Sequence, residues 1–94
     1  MRIIKSDRRH KLFNQGFTHI LEFRAFAEQS QFNSIASGLE KSYGPAETTD
    51  YRNAWINRTF NHNYRLEFNR KTKRRRIYLR NEKDVTMFIL KGQL

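Results

Sequence analysis

Residues 64–80 read YRLEFNRKTKRRRIYLR, and this stretch decides the fold. Tyr64, Leu66 and Phe68 alternate with Arg65 and Glu67. Ile77 and Leu79 alternate with Arg76, Tyr78 and Arg80. Period-two alternation is the mark of a half-buried strand. Two such runs joined by the polar Asn69–Arg75 segment predict an antiparallel hairpin, with Tyr64–Asn69 and Arg76–Arg80 as its arms. The apolar set faces a core. The set Arg65, Glu67, Arg76, Tyr78 and Arg80 faces solvent.

Working outward, Asn81-Glu82-Lys83-Asp84 follows the second arm and precedes VTMFIL. Asn81 as N-cap with two acids in the first turn predicts a helix start, and Val85, Phe88 and Ile89 fit its spacing. The same hexapeptide also has strand propensity, with NEKD as a hairpin turn, but the capping signals favour a helix. On the N-terminal side, Ala54–Phe60 reads as a strand or ordered loop, and Pro45–Tyr51 as a loop.

Glu28–Tyr43 is the clearest helix. Phe32, Ile35, Ala36 and Leu39 fall at i, i+3, i+4 and i+7, and Gly44-Pro45 supplies a stop. Phe17–Ala25 reads as a strand with Phe17, Leu21 and Phe23 on one face. Ile20 spoils a one-sided pattern. Residues 1–11 carry five Lys or Arg around one apolar pair, Ile3-Ile4, and read as a short edge strand or a flexible basic arm.

Together these elements predict one α+β domain. An antiparallel sheet of three or four strands carries one long helix and a short C-terminal helix, in the order β-α-(β)-β-β-α. The expected core is Phe17, Leu21, Phe23, Phe32, Ile35, Leu39, Trp55, Leu66, Phe68, Ile77, Leu79, Phe88 and Ile89. The 94 residues leave room for one thin core. Hydrophobic residues are only 37% of the chain, yet eight Phe, four Tyr and one Trp supply enough buried area for a folded domain.

The strand RRRIYLR, the acidic turn NEKD and the closing VTMFILK resemble the C-terminal half of small proteins of tailed bacteriophages. Those proteins end on a segment of the form (N/D)-E-x-D-x-T-x-F-x-L-K. HILEFRAFAEQSQF and LEKSYGP look like their first strand and helix, so the likeness spans about two-thirds of the chain. It departs at Lys91-Gly92-Gln93-Leu94, where an aromatic is usual. The resemblance implies an α+β domain of phage origin in a host cytoplasm. It implies no chemistry, because that group shares no assigned function.

The charge balance points to partners. Nineteen Lys and Arg against nine Asp and Glu give a net +10. Such an excess suits a polyanion, since each phosphate contact releases condensed counterions. Eight of the cations (Arg65, Arg70, Lys71, Lys73, Arg74, Arg75, Arg76 and Arg80) fall within sixteen residues of the hairpin. Only Glu67 lies near them in sequence. Tyr78 between Arg76 and Arg80 forms a stacking platform for a base, or else covers the sheet beneath the N-terminal arm. The Arg2–Lys11 arm, with Arg8 and Arg9 on it, supplies a second contact.

Other chemistries find little support. Cysteine is absent, which removes disulfides and thiolate metal sites. His10, His19 and His62 lack metal-ligand spacing, so no metal and no other cofactor is expected. Four glycines form no phosphate loop. No apolar run is long enough to span a membrane.

Three functions follow from these readings. The first is an RNA- or DNA-binding protein that contacts phosphates through the cationic hairpin, with no catalytic residues. The second, implied by the resemblance and small size, is an early phage effector. It would inhibit an acidic host protein surface on RNA polymerase, a nuclease or a defence complex. The third is a small metal-independent ribonuclease using His10, His62 or Glu67 for proton transfer.

Overall fold

The computed structural model describes the backbone of residues 1–10, 13–44, 51–52, 55–60 and 63–90, and the side chains of 1–10, 13–44 and 63–87. In chain order the elements are β1 (Arg2–Lys5), a 3-10 turn (Phe13–Gln15), β2 (His19–Phe23), α1 (Gln29–Tyr43), β3 (Tyr51–Arg52), β4 (Trp55–Phe60), β5 (Tyr64–Asn69), β6 (Arg75–Leu79) and α2 (Glu82–Leu90). The strands form one antiparallel sheet in the order β1-β2-β6-β5-β4-β3. The protein is α+β, with an antiparallel sheet, one long helix and a short C-terminal helix. Where alternation predicts three or four strands, Arg2–Lys5 takes the edge-strand alternative as β1 and the two-residue β3 extends the other edge, giving six.

The hairpin forms because its alternation is satisfied on both faces. One face carries the rung Leu21–Ile77–Leu66 across β2, β6 and β5, flanked by Phe23–Arg75–Phe68 and His19–Leu79–Tyr64. Leu21, Phe23, Tyr64, Leu66, Ile77 and Leu79 on this face pack with Phe32, Ile35 and Leu39 of α1 and Val85 of α2. Phe23 and Phe32 meet edge to face at 5.4 Å between centroids. Phe68 is only half-buried, beneath the guanidinium of Arg75 at 4.9 Å from its ring. The anticipated core positions Trp55, Phe88 and Ile89 lie outside the described side chains.

α1 stops where the sequence says it must. Gly44 sits at φ 87°, and its N–H donates to the Glu40 carbonyl at 2.8 Å. The Tyr43 hydroxyl then donates to Asp84 at 2.7 Å, tying the end of α1 to the first turn of α2. That hydrogen bond, with some burial, pushes the Tyr43 phenol up. Residues 82–90 are helix, as the capping signals indicated, and the acids of the first turn complement its N-terminal dipole.

The opposite face of the sheet is not the simple solvent face expected. Phe17, placed by alternation beside Leu21 and Phe23, turns instead to this second face. There it joins Ile20, Tyr78 and the partly buried Ile4. The cause is that β2 begins only at His19. Thr18 is held by Leu79 and Ser6 in loop geometry, so the alternation does not run back to Phe17.

Candidate nucleic-acid interface

The hairpin tip is built by Asn69. Its carboxamide oxygen accepts from the N–H groups of Lys71 and Thr72, both at 2.9 Å. Its backbone closes the loop with Arg74 and Lys73 at 2.8 and 2.9 Å. Lys73 takes φ 63°, the left-handed position that a short hairpin loop requires before the second strand. Arg70, Lys71, Lys73 and Arg74 are therefore all exposed on a loop whose backbone is fixed by its own hydrogen bonds.

The strand that follows treats its charges differently. Register places Arg2, Glu22, Arg76 and Glu67 in one rung across β1, β2, β6 and β5, with signs alternating. Buried Glu22 gathers three guanidiniums: Arg76 at 2.9 Å, Arg74 at 3.0 Å and Arg2 at 3.2 Å. The Tyr78 hydroxyl donates to Glu67 at 2.9 Å. Burial, then the Glu67 charge, pushes the Tyr78 phenol far up.

Several expectations for this strand are thereby corrected. Tyr78 is only 2% exposed and packs edge to face on Phe17, so it is no stacking platform for a base. Its place is the covered-sheet alternative, because Phe17, from the segment before β2, packs on its ring and Ile4 of the edge strand joins the same cluster. Arg75 is buried and lies on Phe68, with a hydrogen bond to the Lys73 carbonyl. Arg80 is partly buried, lies over the Phe17 ring at 4.3 Å and donates to the Gln15 carbonyl. Gly16 at φ 90° leaves the space that this guanidinium fills. Arg65 is half-buried in the rung of Tyr78. The idea that only Glu67 could neutralise the hairpin also falls, since Glu22 does so from more than fifty residues away.

On the N-terminal segment, Arg8 and Arg9 are exposed. Arg9 holds Asp7 at 2.8 Å and lowers that carboxyl to about 2, mainly through the side-chain hydrogen bond. Two clefts connect these groups. One, of about 650 Å³, is lined by Arg2, Lys5, Arg9, His10 and Arg76 with Ile3 and Ile4, and no carboxylate is among its described lining residues. The other, of about 360 Å³, is lined by Arg2, Arg24 and Arg74 together with Glu22 and Glu28. Arg2 lines both, so a cationic strip runs along β1 and ends at the hairpin tip.

Sequence reasoning offered the Arg2–Lys11 arm as a second contact without distinguishing Arg2 and Lys5 within it, and it did not name Arg24. The signal was present in the five cations of residues 1–11. It becomes readable only once β1 is known to lie against β2. Of the proton-transfer set, Glu67 is buried beneath Tyr78, His10 is bonded through Nδ1 to the Asp7 N–H at 3.1 Å, and His62 lies outside the described residues. Among the described residues no group of His, Asp and Glu converges as a metal site, and no helix is long and apolar enough to cross a membrane. No family model, curated protein or solved structure matches the chain.

Proposed function

We propose that this protein binds nucleic acid through its phosphates, using the strip that runs from Arg9 and Lys5 past Arg2 to Arg74 and the Arg70–Lys73 tip. The observation that carries the reading is the cleft lined by Arg2, Lys5, Arg9, His10 and Arg76, with no carboxylate among its described lining residues. Asp7 and Glu22 pair with Arg9, Arg2 and Arg76 without lining the cleft, so the lining itself presents cations, and such a surface attracts a polyanion. Arg2 and Lys5 lie about 10 Å apart on β1 and on opposite faces of that edge strand, so the strip wraps the edge of the sheet and presents its cations at more than one point.

Glu22 supports this role as well as opposing it. It neutralises one charge, but it also fixes Arg2 and Arg74, which remain 68% and 51% exposed. Guanidiniums held in place lose less freedom when a phosphate arrives. The tip residues Arg70, Lys71 and Lys73 act as point charges. Contacts of this type position a ligand without reading its sequence, so weak sequence choice is expected.

Fluorescence anisotropy with a labelled single-stranded RNA and a duplex DNA, at about 50 and about 300 mM salt, tests the proposal. About six phosphate contacts make affinity fall by roughly 2,000-fold for the single strand and by on the order of 10⁴-fold for the duplex between those concentrations. Absence of binding at the lower salt overturns the proposal and moves the partner to an acidic protein surface.

A further inference from the structure

The strip lacks the stacking group that Tyr78 was expected to supply, and the structure offers another. Phe26 is 77% exposed, far more than any neighbouring aromatic. In sequence it lies between Phe23 and Phe32, both buried in the core, and alone of the three it stands outside. Its backbone sits at φ 55°, a left-handed conformation that phenylalanine disfavours. The turn is held there by the Ala27 N–H to Ala25 carbonyl bond at 2.5 Å. Arg24 also bonds through its N–H to Glu28 Oε1 at 2.8 Å. Phenylalanine held in the left-handed region of a tight turn costs free energy, and such strained positions cluster at ligand-contacting sites.

Its position fits such a site. β2 ends at Phe23, which pairs with Arg75 at the start of β6, so the Phe26 turn and the Arg70–Arg74 tip leave the same end of the sheet. Arg2 enters β1 at that end too, opposite Glu22. Arg24, two residues before Phe26, lines one cleft with Arg2 and Arg74. An exposed aromatic face beside a row of guanidiniums is the arrangement that takes an unpaired base on the ring and its phosphates on the cations.

Resting on the phosphate-binding reading above, we infer that Phe26 stacks on a base and that the ligand is single-stranded nucleic acid. Duplex bases are already stacked on one another and offer no face to the ring. The strip holds any phosphate chain, and Phe26 adds affinity only where bases are unpaired.

The test uses three labelled ligands of about 20 nucleotides: a single strand, a duplex and an abasic sugar-phosphate chain. The wild-type protein binds the single strand about 5- to 100-fold more tightly than the abasic chain. Phe26→Gly, which relieves the left-handed backbone and so leaves the fold intact, brings the single strand down to the abasic level. It leaves duplex affinity and the salt dependence unchanged. Phe26→Trp keeps the single-strand preference. Equal binding of single strand and abasic chain by the wild type overturns the inference. So does a Phe26→Gly protein that weakens on all three ligands alike. In both cases salt-dependent binding would still uphold the phosphate strip. Failure of the wild type to bind any of the three removes the strip and the stacking together.

Discussion

The run from Arg70 to Arg80 is one basic segment in sequence and two regions in the molecule. Arg70, Lys71, Lys73 and Arg74 stand exposed on a loop, while Arg75, Arg76 and Arg80 are drawn into the sheet by Phe68, Glu22 and Phe17. A guanidinium in the strand gains an aromatic face or a buried carboxylate, and its aliphatic stem covers apolar surface. In the loop Arg74 also reaches Glu22, yet it stays 51% exposed where Arg76 on the same carboxylate is 22% exposed. A count of cations therefore overstates the charge available to a ligand, and secondary structure decides which charges remain.

The largest expected effect separates the two regions directly. Arg75→Glu places a carboxylate where a buried guanidinium lay, at a cost of about 3–5 kcal/mol, and should lower the melting temperature by roughly 15–30 °C. Circular dichroism checks it. A native melt would contradict the structural role of Arg75.

Glu22→Gln comes next. It removes the charge that holds three arginines and should lower stability by about 1–3 kcal/mol in a denaturant titration. At the same time it releases Arg2, Arg74 and Arg76 toward phosphate, so low-salt affinity for nucleic acid should rise. Loss of both stability and affinity would mean that fixing the guanidiniums matters more than freeing them.

The smallest effect belongs to Tyr78→Phe. It leaves the buried Glu67 carboxylate without its hydroxyl donor, costing about 1–2 kcal/mol, and should leave nucleic-acid affinity untouched. The pH dependence carries the same signature. Burial, then Glu67, raises the Tyr78 phenol above its ordinary value of 10.0, so the folded state keeps a proton that the unfolded chain releases. Its contribution is complete below pH 10 and is lost as pH rises beyond. Tyr64 and Tyr43 add to the same loss, so Tyr78→Phe should flatten the alkaline decline without abolishing it.

Much of the fold was legible because it rests on local pattern. The Tyr64–Leu79 hairpin follows from period two, α1 from Phe32, Ile35 and Leu39, and its end from Gly44. The site was less legible because it rests on register. Nothing near Arg76 in sequence announces Glu22, whose role appears only when β2 pairs with β6 residue by residue. Tyr78 was read as outward by correct alternation, yet outward here means a second buried face closed by Phe17 and Ile4. Phe26 had no periodic partner, and its exposure follows from a turn geometry that composition does not encode.

The most direct test of this partition is the salt dependence of RNA affinity in wild type and in Arg70→Glu with Lys71→Glu. The account predicts that the double variant melts like wild type, binds more weakly, and has a log K against log salt slope shallower by about 1.4, two lost contacts on a single strand. An unchanged slope and affinity would show that the exposed tip does not touch phosphate, and would contradict the account.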